Sequence, residues 1–96
     1  MRERVAAARA AAAHRWRADG WRTNAEVPGH VLRQRFPLPA EVVAPLEAAV
    51  RMGRLSARGA DRAIRVAWTV CDLRGAPAPT ARDVMLALNF RQRGAP

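Results

Sequence analysis

The longest uninterrupted signal in the chain is LSARGADRAIRVAWTVCDLRG, Leu55 to Gly75. Turned at about 100° per residue, Arg58, Arg62, Arg65, Thr69 and Asp72 fall along one polar stripe. Ala60, Ala63, Ile64, Ala67, Val70 and Cys71 fall on the opposite face. This is an amphipathic helix, with Ser56 as its N-cap and Gly75 as its stop. Small residues on the apolar face let neighbouring helices approach closely. Trp68 lies at the boundary, where its ring covers the core edge and its N–H is expected to stay in water.

Punctuation on either side divides the chain into five helical segments. The first runs from about Arg2 to Ala18 and stops at Asp19-Gly20. After the loop GWRTNAEVPG, Thr23 or Asn24 caps a second helix reaching Phe36, with Pro28 allowed only in its first turn. Pro37 to Pro39 breaks it. A third helix spans about Pro39 to Met52 and ends at Gly53; Pro45 inside it predicts a kink or a short first turn. Past the APAP linker, Thr80-Ala81-Arg82-Asp83 has capping-box spacing and opens a fifth helix through Phe90. No alternating strand pattern or internal repeat interrupts the series. The expected fold is all-α, a small bundle of about five helices in one domain over residues 1–96.

Composition agrees with that class. Half the residues are apolar, alanine dominates and tyrosine is absent. Arginine interrupts every alanine-rich run, so nothing approaches transmembrane length and no membrane partner is expected. Glu3 and Asp19 argue against reading the N-terminus as an organellar presequence. The single cysteine excludes an internal disulfide and fits a cytoplasmic setting. All 17 basic residues are arginine, and the net charge is +9. The all-arginine usage resembles the bias of a GC-rich genome, yet a field of this strength still favours an anionic partner.

Catalytic and metal chemistry is missing. His14 and His30 are far apart in sequence and Cys71 sits on an apolar face, so no metal cluster, Ser/His/Asp set or glycine-rich phosphate loop can be assembled. No catalytic residue is expected in this chain. Arg15, Trp16, Arg17, Trp21 and Arg22 form an aromatic-arginine group that would suit stacked bases in a small nucleic-acid-binding domain. The plainer reading has Trp16 and Trp21 packing the first helix onto the following loop. A further option is an adaptor whose exposed apolar surface binds a protein. The arginine stripe can be read as a solvated face served by Asp61 and Asp72. However, it begins in the first helical turn, where the macrodipole already attracts anions and a cation needs a negative group to meet it. The arginine fork suits phosphate oxygens.

The run L-S-A-R-x-x-x-R-x-I-R-V-A-x-T-x-x-D-L, within Leu55–Leu73, resembles the C-terminal helical domain of magnesium-chelatase-like AAA+ ATPases, the ComM/YifB group. RERVAAAR resembles that family's arginine-bearing entry helix, TNAEVPG its asparagine-containing loop, and LALNFR its terminal helix, so the likeness covers nearly the whole chain. The resemblance implies an AAA+ lid that follows a nucleotide-binding core. It maps the family's sensor 2 arginine onto Arg58, facing the terminal phosphate of ATP in the same or a neighbouring subunit. Arg62 and Arg65 become secondary phosphate or interface contacts. It implies ATP and Mg in a parent ATPase, partners in the core and in neighbouring subunits of a ring, and a parent acting on DNA or in metal chelation.

There are departures. Trp68 stands where the family's V-A-R-T run has arginine, replacing an ionic contact with packing. Gly59-Ala60 replaces a bulkier pair and loosens the first turn. Walker A and B elements are absent from these 96 residues, and RERVAAAR opens in mid-pattern, so the chain is expected to be excised from the C-terminus of a longer protein.

Overall fold

The computed structural model describes the backbone from Arg2 to Gly94 and side-chain surroundings from Glu3 to Asn89. It is all-helical, with no strand among the described residues. The elements are α1 (Arg2–Arg15), α2 (Gly29–Arg35), α3 (Ala40–Arg51), α4 (Ala57–Arg74) and α5 (Ala81–Gly94). Two 3-10 turns, Arg17–Asp19 and Asn24–Glu26, lie between α1 and α2. The helix α4 is central, packing against α1, α2, α3, α5 and the second of those turns.

Local chemistry sets the boundaries of α4. The Ser56 hydroxyl accepts the Gly59 N–H at 3.0 Å, closing the first turn. At the other end Gly75 turns left-handed (φ 74°), and its N–H and that of Ala76 return to the Asp72 and Cys71 carbonyls. This double closure satisfies the last carbonyls and needs a residue without a Cβ penalty. Gly53 ends α3 in the same way, with φ 73°. At α5 the capping box forms: Thr80 N–H donates to Asp83 at 2.9 Å, and Asp83 N–H to the Thr80 hydroxyl at 3.3 Å.

Two of the expected helices change, and α3 keeps its expected span. The segment Thr23–Phe36 is not one helix: Thr23 and Glu26 box a 3-10 turn, and the chain then straightens before α2. Pro28 is the cause, since the residue before proline is pushed to extended geometry, and Val27 sits at φ −80°, ψ 127°. The first helix stops at Arg15 rather than Ala18, the remainder tightening into a 3-10 turn closed by Gly20. The helix α3 runs between its expected flanking residues, Pro39 and Met52, with Pro45 inside it.

The core joins Trp16, Val27, Leu32, Leu46, Ala63, Ile64, Ala67, Cys71, Val84 and Ala87. An edge-to-face aromatic chain runs Trp21–Trp16–Phe36–Trp68, with centroids 5.9, 5.1 and 5.8 Å apart. Val70, expected in the core, is half-buried. Trp68 moves the other way: it is only 3% exposed, and its Nε1 is buried with no hydrogen-bond partner. The Arg15 guanidinium over its ring, 4.3 Å from the centroid, helps take it out of water.

Candidate nucleotide-sensing site

The polar stripe of α4 splits into two halves. Arg58 stands in the first turn, immediately after the Ser56 cap, and is exposed. Arg62, one turn on, is exposed as well, and neither forms an ion pair among the described residues. Arg65 is half-buried, and its Nε donates to the Val27 carbonyl at 2.8 Å, tying α4 to the loop before α2. The arginines that look equivalent on a helical wheel are therefore not equivalent. Of these three arginines, Arg58 and Arg62 keep the whole guanidinium free of a hydrogen bond or ion pair among the described residues, whereas Arg65 has its Nε engaged.

Further along, the stripe turns inward. Asp72 is 5% exposed and receives a two-pronged contact from Arg15, at 2.6 and 3.0 Å. Asn24 is buried beside it, donating to Asp72 at 3.0 Å and to Thr69 at 3.4 Å. The Asn24 carbonyl oxygen in turn accepts from Arg15 and from Trp16 Nε1, both at 3.0 Å. Sequence reasoning missed this network. Its available signal was an asparagine in a loop and an aspartate at the edge of the stripe beside Trp68.

That network also fixes the fate of the aromatic-arginine group. Trp16 is fully buried and cannot stack on a base, and Arg15 is committed to Asp72 and Trp68. Trp21 is half-buried against the edge of Trp16. Arg17 and Arg22 remain exposed, without the stacking surface expected between them. Burial of a large indole outweighs any gain from leaving it wet, which is why the group folds inward.

Around the first half of α4, Asp61 leans onto α2 and pairs with Arg33 at 2.9 Å. An apolar groove of about 480 Å³ lies between α2, α3 and α4, lined by Leu32, Phe36, Val43, Leu46, Ala60 and Ile64, with Arg33, Glu47 and Arg51 among its polar residues. Cys71 is buried and its thiol donates to the Ala76 carbonyl at 3.1 Å. Burial, then the charges of Asp72 and Asp83, push its pKa up, so the nucleophilic thiolate is suppressed. Among the described residues no group of His, Cys, Asp or Glu is arranged to hold a metal ion, and no helix is long and apolar enough to cross a membrane.

The chain is 52% identical over 95 residues to an uncharacterised protein of Mycobacterium bovis, and equally to uncharacterised proteins from two strains of Mycobacterium tuberculosis. Each alignment covers 99% of this chain but 19% of the relative, so the chain spans about a fifth of the length of the curated proteins it matches. No solved structure matches it. The family described as "Magnesium chelatase, subunit ChlI C-terminal" matches residues 1–91, nearly the whole chain, and the chain belongs to that family.

Proposed function

We propose that this chain is the C-terminal helical lid of a magnesium-chelatase-like AAA+ ATPase of the ComM/YifB group, with Arg58 as its sensor 2 arginine. The reading treats the chain as one module of a longer protein, which the much greater length of its relatives supports. The observation that carries it is the state of Arg58: exposed, in the first turn of α4, and free of any ion pair among the described residues. A guanidinium held beside a capped helix start is fit to meet a phosphate, since its charge and the backbone N–H groups act on the same anion. When ATP loses its terminal phosphoryl group, Arg58 loses that partner, which couples the chemical state of the nucleotide to the position of the lid.

ATP and Mg belong to the parent protein's core under this reading, and this chain supplies charge and one side of an oligomer interface. Arg62 is the secondary candidate for a phosphate or interface contact. Arg65 is the weaker one, because its Nε already serves Val27. The parent is read as a cytoplasmic ring ATPase acting on DNA or in metal chelation, and the ComM-like resemblance favours DNA.

Replacing Arg58 by alanine in the full-length protein is expected to lower ATP turnover by about a hundredfold or more. Folding stability should change by no more than about 0.5 kcal/mol, as is usual for an exposed site. Turnover of the variant at the wild-type rate would sink the assignment.

A further inference from the structure

Asp61 is the one acidic residue within a turn of Arg58 along the helix. Residues three apart on a helix are neighbours, so an aspartate there is a ready partner for Arg58. Instead, the Asp61 carboxylate is directed onto α2. It packs so closely against Gly29 that a Cβ at that position would collide with it. It is held there by Arg33, Nη2 to Oδ1 at 2.9 Å. The other arginine in helical reach of Asp61, Arg65, is occupied through its Nε by the Val27 carbonyl.

We propose that Arg33 is a positioning residue for Arg58: by holding the Asp61 carboxylate against α2, it keeps Arg58 unpaired and ready for an anionic ligand. The proposal rests on the lid reading for the identity of that ligand, a nucleotide phosphate, but the pairing itself is a property of this chain. Two effects act together. Arg33 removes Asp61 as a competing partner, and it neutralises a negative charge that would otherwise repel phosphate about one helical turn away. The Arg33–Asp61 pair is partly exposed, with the side chains 54% and 29% accessible. Such a pair contributes little to folding, so its removal leaves the rest of the molecule intact and the functional readout clean.

The test has two arms. In this chain, the Arg58 Nε–Hε resonance is followed by NMR in Arg33→Gln, Arg33→Lys and the double variant Arg33→Gln/Asp61→Asn. The resonance should move in Arg33→Gln, return in the double variant and stay in place in Arg33→Lys, all at an unchanged melting temperature. In the full-length protein, ATP affinity should weaken roughly three- to tenfold in Arg33→Gln and recover in the double variant. An unmoved Arg58 resonance in Arg33→Gln overturns the proposal. So does a double variant as impaired as the single one, which would make Arg33 merely structural. If the resonance follows the expected pattern while Arg58→Ala leaves ATP binding and turnover normal, it is the lid reading that fails.

Discussion

At the C-terminal end of α4, Arg15, Asp72 and Asn24 share hydrogen bonds of 2.6 to 3.0 Å, closed off by Trp16 and Trp68. At the N-terminal end, Arg58 and Arg62 lie on the same stripe of the same helix, exposed and without an ion pair among the described residues. The first arrangement holds the bundle together, and the second holds nothing. What separates them is whether acceptors surround the guanidinium. A charge taken out of water needs its full set of partners, whereas a charge left in water can be given to a ligand at small cost. Asp72 belongs to the first class although its sequence position aligns it with the second.

The largest effect follows from the locked end. Asp72→Ala leaves Arg15 buried without its acid and Asn24 with the longer contact to Thr69 as its remaining acceptor. Loss of one member of a buried pair costs about 3–5 kcal/mol, a large fraction of the stability of a domain this small. Urea unfolding followed by tryptophan fluorescence measures it. A loss below about 1 kcal/mol would mean that the network is not what holds α1 to α4, and the contrast between the two ends would collapse.

That contrast also marks how far the sequence could be read. The limits of α4 and the start of α5 were legible because caps and period are local: Ser56, Gly75 and the Thr80/Asp83 box act within a few residues of themselves. The fate of Asp72 and Trp68 was not. A helical wheel knows only its own helix, and Arg15, which covers both, lies 57 residues before Asp72 in sequence. Trp16 was ambiguous for the same reason, since the acceptor for its N–H lies on a loop that follows α1. The break before α2 was signalled by Pro28, but the box between Thr23 and Glu26 makes a 3-10 turn, which helical periodicity does not detect. Of the candidate site, periodicity gave the stripe; the choice of Arg58 came from the family resemblance.

A third acid lies between the two classes. Asp83 is buried, yet its partner Arg74 is largely exposed; they meet at 2.5 and 3.2 Å. Burial pushes the carboxyl pKa up, but hydrogen bonds from Arg74 and the Thr80 N–H, with the Arg74 charge, outweigh it and hold Asp83 below its ordinary value. A depressed folded pKa gives stability that is present above the unfolded pKa of about 3.9 and is lost as pH falls through the folded pKa. Asp83→Asn should therefore cost about 1–2 kcal/mol near neutral pH. The gap to wild type should shrink towards zero in an acid titration below about pH 3. A gap independent of pH would show that shape at this cap, rather than charge, secures α5.

The finest test sets neighbours on the stripe against each other. Arg65 has an acceptor in the Val27 carbonyl, and Arg62 has none among the described residues. If acceptors decide the role of an arginine here, Arg65→Ala should destabilise by about 1–2 kcal/mol, the contribution of one charged hydrogen bond and its satisfied carbonyl. Arg62→Ala should stay within about 0.5 kcal/mol. Paired thermal melts of the two variants resolve that difference. Equal losses would mean that the stripe acts through its summed charge and not through individual contacts. In that case Arg58 would have no special freedom either, because its availability rests on the same distinction between an arginine with an acceptor and one without.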